Sequence, residues 1–235
     1  MPLRTLLPPL FIALAISTAP VSAADQPIRE GGQYHPINPP VATTVKPGQI
    51  EVVEMFFYAC PHCYRLDPKI RAWRKRQPDD VVFRRVPAIV GPTWPDQARA
   101  YYIAEELGIL DSFHPAFFDS IHKDGKQYYN RLALIQFFVA QGIDGNKVAA
   151  LYDSPEVAEK TNQARLLTVK YGLNGVPAMI VDGRYKTASY YTRNLDEMLT
   201  VVDHLTAKVR ADPKVPAISK ATTETTPDTG NGKQE

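Results

Sequence analysis

Cysteine is scarce in this chain: there are two in 235 residues, at positions 60 and 63. That excludes a disulfide scaffold, which needs several bridges. With no cysteine near the N-terminal leader, it also excludes a lipid anchor there. Long hydrophobic runs are missing too. The leader's apolar stretch, Leu6 to Ile16, is broken by Pro8-Pro9 and falls well short of the ~20 residues of a membrane-spanning helix. Nothing later in the chain is longer. Neither charge sign dominates, with 27 Lys and Arg against 25 Asp and Glu. Such a surface gives no reason to expect nucleic acid or strong membrane attraction. His35, His114, His122 and His204 are scattered, so the cysteine pair lacks a second pair of ligands at metal spacing. No phosphate loop, Ser-His-Asp spacing, internal repeat or paired carboxylates with a clear role are present.

What is there begins with a secretory leader. Arg4 supplies the positive start, Leu6 to Ile16 the apolar stretch, and Val21-Ser22-Ala23 or Ser22-Ala23-Ala24 the small-residue cleavage site. Cleavage after about residue 23 exports the chain to a compartment where disulfides persist. A structural staple would then be expected to close a long loop. A two-residue spacer constrains the unfolded chain little, so the pair at 60 and 63 reads better as a reagent than as a staple.

The patterning predicts an α/β chain. Gly32 to Pro36 suits a short edge strand. Ile50 to Tyr58 is apolar at successive positions, as a strand buried on both faces should be. A helix opens at the cysteine pair and runs to about Arg76, with Pro68 inside it. Val81 to Val86 follows as a parallel strand, since a helix connects the two. Helices are then predicted from Pro95 to Leu107, from Pro115 to His122, after an Asn130 cap with Leu132, Ile135, Phe138 and Val139 as the apolar stripe, after Asp144, and from Ser154-Pro155-Glu156 to Tyr171. Ala178 to Val181 and Arg184 to Lys186 form a hairpin about Asp182-Gly183. A last amphipathic helix carries Leu195, Met198, Leu199, Val202, Leu205 and Val209. This order is that of a thioredoxin fold interrupted before its closing hairpin. The expected organisation is a leader at 1–23, a thioredoxin-like domain over 24–92 and 173–210, an inserted helical domain over 93–172, and a polar, disordered tail over 211–235.

Cys60-Pro61-His62-Cys63 stands at a strand end and a helix start. Thiol–disulfide exchange needs a thiolate, a second thiol within reach and an exposed attacking sulfur. Cys60 at the helix N-terminus meets unpaired N–H groups and the positive end of the helix dipole, which favour its anion. Cys63, one turn inside, is expected to be the buried resolving thiol. Pro61 presets the first helical φ, and His62 is expected to aid the Cys60 thiolate through ring charge or a hydrogen bond. A stabilised reduced state makes the disulfide a stronger oxidant.

Two further features stand apart from the pair. Val176-Pro177 precedes the strand at Ala178. An ordinary X-Pro bond is trans, but the fold order favours a cis bond that offers the Val176 backbone to an extended substrate. Glu54 lies within the buried strand, where a lone carboxylate is costly. Two readings stay open for it: an ion pair with Arg84 or Arg85, or a proton acceptor for Cys63.

The run Glu54-Met-Phe-Phe-Tyr-Ala-Cys60-Pro61-His62-Cys63-Tyr64, followed far downstream by Gly175-Val176-Pro177-Ala178, resembles the DsbA family of periplasmic disulfide oxidoreductases. The resemblance spans roughly residues 32–210. It implies a thioredoxin fold, Cys60 as nucleophile, Cys63 as its partner, a cis Pro177 after Val176, and an acidic Glu54 beneath the site. It also implies an enzyme with no cofactor beyond its own disulfide. Such an enzyme oxidises unfolded secreted chains and is reoxidised by a DsbB-like membrane protein; we expect a monomer. A lysine partner for Glu54 has no match, because the neighbouring strand carries arginines. The alternatives are an isomerase or reductase on the same fold, which would be expected to add a dimerisation domain, and a peptide-holding chaperone module.

Overall fold

Ile50 to Phe56 forms strand β2, buried at every position, Glu51 and Glu54 included. The structure, a computed structural model, describes residues 27–212. The predicted leader, and the predicted tail beyond Asp212, lie outside those residues. Two further strands flank β2 directly. β3 (Val81–Pro87) runs parallel to it and β4 (Ala178–Val181) antiparallel. Helix α1 (Pro61–Arg74) makes the crossover between β2 and β3, which a parallel pair requires. β5 (Tyr185–Ala188) pairs with β4, and the short β1 (His35–Pro36) closes the far edge, giving the order β1-β5-β4-β2-β3. Between β3 and β4 lie helices α2 (Trp94–Glu106), α3 (Leu110–His122), α4 (Arg131–Ala140), α5 (Gly145–Tyr152) and α6 (Pro155–Lys170); α7 (Leu195–Ala211) ends the described fold. This is the α/β thioredoxin fold with a helical insertion.

The two faces of β2 feed two apolar clusters. Ile50 and Val52 pack with Leu66, Ile70 and Trp73 of α1 and with Met198, Val202 and Leu205 of α7. Val53 and Met55 join Tyr101, Ile103, Phe117 and Phe118 of the insertion. Trp73 is fully buried, and its indole N–H donates to Asp203 at 2.6 Å. The β4–β5 turn keeps Asp182 and Gly183 at positive φ, 54° and 61°. It is one residue longer than expected: Val181 pairs with Tyr185, so Arg184 belongs to the loop, its N–H donating to the Val181 carbonyl at 3.0 Å, and β5 runs from Tyr185 to Ala188.

The helix starts follow their caps. Asn130, Asp144 and Ser154 each accept a backbone N–H in the first turn of the helix they precede. Ser154 Oγ takes the Val157 N–H at 3.2 Å. Removing that acceptor with Ser154→Ala should lower unfolding stability by ~1 kcal/mol. Ser154→Asp should restore most of it in the same denaturant titration.

Four further expectations shift. The strand stops at Phe56, not Tyr58, and α1 ends at Arg74, not Arg76. α3 begins five residues before Pro115, because Leu110, Phe113 and His114 already follow helical spacing and the proline is accommodated inside. On α4 the buried stripe is Leu134, Phe137 and Phe138, whereas Leu132 and Val139 are 64% and 51% exposed. That helix is apolar on most sides, so its own sequence does not say which side its neighbours cover.

Candidate active site

β2 runs out at Phe56, opposite Pro87 of β3. The chain then turns sharply, with the Cys60 N–H donating to the Phe57 carbonyl at 3.0 Å. Cys60 is the N-cap of α1 (φ −84°, ψ 116°), and Pro61 starts the helix. Proline is suited to that place, where its missing N–H costs nothing. Both cysteines are free thiols; Cys60 is partly exposed and Cys63 is buried.

The two thiols are driven in opposite directions. A hydrogen bond from the Cys63 thiol is the largest influence on Cys60. It acts against the cost of burial and is joined by the backbone N–H groups of Cys63 and His62, and the result is a thiol brought down to about 6. The charge of the His62 ring comes last among these causes. Of the two routes expected of His62, a hydrogen bond, here from its backbone N–H, comes ahead of its ring charge. The ring itself is exposed and accepts a hydrogen bond from Arg65 at 3.0 Å. Burial pushes Cys63 well up, and the neighbouring Cys60 pushes it further.

The Val176–Pro177 peptide bond is cis, and the Val176 carbonyl faces the site, accepting from Cys60 Sγ at 3.5 Å. β4 starts at the next residue, Ala178. The sheet thus carries Val176 to Cys60 although 116 residues separate them in sequence.

Below the cysteines lies a buried charge network. Glu54 pairs with Arg85 at 2.8 Å, and the same guanidinium donates to Asp67 at 2.8 Å. Arg84, the other candidate partner, instead pairs with Glu51 at 2.9 Å. Burial dominates at Glu54. It outweighs the pull of Arg85, is reinforced by Asp67, and raises the carboxyl to about 7. At Asp67 burial is again the largest influence, but His114, Arg85 and Arg71 together pull the carboxyl below its ordinary value. Burial holds His114 down to about 4, so its ring is neutral. Its Nδ1 meets the Tyr58 hydroxyl at 2.9 Å. Its Nε2 lies 3.4 Å from Asp67, and with the ring neutral that approach is a polar contact that steadies the carboxylate and not an ion pair.

Sequence reasoning missed Asp67, His114, His122 and Gln97 around this site. Asp67 sits among exposed charges of α1, and the two histidines were read as scattered. Their eight-residue spacing puts them on one face of α3. That spacing was the available signal, but it needed the helix to be extended back to Leu110 before it could be seen.

A thioredoxin sheet presenting one activated and one buried thiol at a helix start defines a thiol:disulfide oxidoreductase. Comparison with known proteins agrees. The family model described as DSBA-like thioredoxin domain matches residues 86–200. The thiol:disulfide interchange protein DsbA of Azotobacter vinelandii is 37% identical over 203 residues, covering 86% of this chain and 92% of that one. DsbA of Pseudomonas aeruginosa is 32% identical over 212 residues, covering 90% of this chain and all of its own length. The crystal structure of Pseudomonas aeruginosa DsbA superposes with a TM-score of 0.75 at 34% identity, covering 82% of this chain and 99% of that one. DsbA from Xylella fastidiosa gives 0.72 at 34% identity, over 79% and 98%. This chain belongs to the DsbA family.

Proposed function

We propose that the protein donates a Cys60–Cys63 disulfide to exported chains as they fold in the periplasm, after loss of the leader at 1–23. A substrate thiolate attacks Cys60 Sγ, forming a mixed disulfide and releasing Cys63 as a thiolate. Cys63 takes up a proton, for which Glu54 is the nearby acid. A second substrate thiolate then attacks the substrate sulfur of the mixed disulfide. The substrate leaves with its new disulfide, and Cys60 is left as a thiolate. Two electrons pass from the substrate dithiol to the enzyme. Pro61 and His62 hold Cys60 at the N-cap, while Val176, ahead of Pro177, offers its backbone to the extended substrate. The pair needs no added cofactor. A DsbB-like membrane oxidase restores the disulfide to the monomeric enzyme, and neither nucleic acid nor metal enters the cycle.

The observation that carries this direction is the opposed drive on the two thiols. The Cys60 thiolate is a stable leaving group, and whatever stabilises it in the folded dithiol makes the disulfide easier to give away. A thiol lowered from an ordinary 9.0 to about 6 adds stability that is fully present above the unfolded value and is lost as pH falls through the folded one. Denaturant midpoints of both redox forms across pH 6 to 9 test this. The reduced form should gain on the oxidised form as pH rises. Near neutrality we expect a gain of ~1 kcal/mol, since Cys60 is partly exposed and solvent screens the effect. An oxidised form clearly more stable than the reduced one throughout would overturn the donor reading.

A further inference from the structure

The turn that presents Cys60 receives almost nothing from the sheet. After Phe56 accepts the Ala88 N–H, the ladder stops. Each of the next three residues is instead held by a side chain of the helical insertion. Phe57 lies flat on Trp94 of α2, ring centres 4.0 Å apart and planes within 2°. The Ala59 N–H donates to Gln97 Oε1 of α2 at 3.1 Å, and Gln97 is 1% exposed. Tyr58 is gripped twice from α3. Its hydroxyl meets His114 Nδ1 at 2.9 Å, and its backbone carbonyl accepts from His122 Nε2 at 2.8 Å. His122 also stacks on Tyr64, the residue after Cys63, at 4.6 Å and 12°.

We infer that the insertion is a clamp on the redox turn, with Trp94, Gln97, His114 and His122 as positioning residues that keep Cys60 in its N-cap geometry. The inference rests on the proposed function, in which Cys60 carries the reactive sulfur. The thiolate is favoured while Sγ is aimed at the Cys63 thiol and at the N–H groups of Cys63 and His62, and that aim depends on the backbone of Cys60. Fixing residues 57 to 59 fixes this backbone from the N-terminal side, as Pro61 does from the other. A loosened clamp leaves both thiols in place but stabilises the reduced, thiolate state less. The coupling is reciprocal: if the clamp favours the thiolate, forming the thiolate tightens the clamp.

Three variants each cut one contact with little loss of volume. Gln97→Met removes the acceptor for Ala59. His122→Phe keeps a ring on Tyr64 and removes the donor to Tyr58. Tyr58→Phe removes the hydroxyl that His114 holds. Tyr128→Phe is the control. It breaks a buried hydrogen bond of 2.6 Å to Ser120 within the insertion and touches nothing in the turn. Thiolate absorbance titration and equilibration with glutathione are the readouts. Each clamp variant should raise the Cys60 midpoint and shift the glutathione equilibrium about threefold to tenfold toward the disulfide, the worth of one hydrogen bond. The control should lose stability alone. Clamp variants that melt lower but keep the wild-type titration and equilibrium would show a merely structural contact and overturn the inference. So would a control that shifts as much as they do. Wild-type protein supplies a further check: α3 amides should exchange more slowly in the reduced than in the oxidised form, and equal exchange counts against the clamp. A wild type with no low Cys60 midpoint would instead sink the donor reading itself.

Discussion

A Cys60→Ser variant should transfer no disulfide above the uncatalysed background while keeping its fold. The sulfur is the reagent. A serine hydroxyl forms no disulfide and is not ionised near neutral pH, so no residual exchange chemistry survives at that position. Cys63 is no substitute, because it is buried and burial pushes its thiol well up. The structural cost is small. Cys60 is partly exposed at an N-cap, where serine is a favoured residue. Oxidation of a reduced, unfolded protein, followed by loss of free thiols, is the measurement. The complementary Cys63→Ser variant has no disulfide to donate; given oxidised glutathione it should accumulate the mixed disulfide on Cys60, since Cys63 is the thiol that would displace glutathione from it. A Cys60→Ser protein that still oxidised substrate would end the case for Cys60 as nucleophile. One that lost oxidation yet still suppressed aggregation of unfolded chains at wild-type level would add peptide holding as a separable property of the surface around the site.

Much of this arrangement was legible in the sequence where the information is local. The cysteine pair, Pro61 at the helix start, the Ser154 cap and the Asp182-Gly183 turn each declare themselves within four residues. The partner of Glu54 did not, because a strand's period of two leaves open which of two successive arginines faces a given side. Register decides it. Glu54 stands opposite Arg85, so they share a face, while Arg84 stands opposite Val53 and turns toward Glu51. The α4 stripe failed for the same kind of reason: Leu132 and Val139 are as apolar as Leu134 and Phe137, and only the neighbouring helices choose between the two faces. The histidines of α3 were harder still. Their role is to reach a turn more than fifty residues upstream; their spacing puts them on one face of α3 but does not say what that face meets.

Glu54→Gln should trade activity for stability, and the sign of each effect follows from burial. The carboxyl is 1% exposed and shares Arg85 with Asp67. Because its value in the folded chain is raised, folding favours the protonated form. That stabilisation is complete below the ordinary 4.5 and is lost as pH rises through about 7. A glutamine matches the neutral acid in shape and never ionises. The variant should therefore equal the wild type near pH 4 and exceed it by up to ~3 kcal/mol at pH 8, read from denaturant midpoints. Arg85 keeps Asp67 as its counter-charge, so removing Glu54 does not strand it. Activity moves the other way. Cys63 leaves the disulfide as a buried thiolate that its surroundings disfavour, and an acid poised near neutrality beneath it can supply the proton. In reoxidation the same group, ionised, would accept that proton back. Loss of such a group typically slows the dependent step by ~10²-fold. Stopped-flow reduction of the oxidised enzyme by a dithiol peptide should show that loss, together with the disappearance of an inflection near pH 7. If the variant gains stability but keeps the wild-type rate and pH profile, Glu54 is a structural partner of Arg85 and nothing more. If both changes appear together, the burial cost at Glu54 is retained because it holds the carboxyl where a proton can move in either direction.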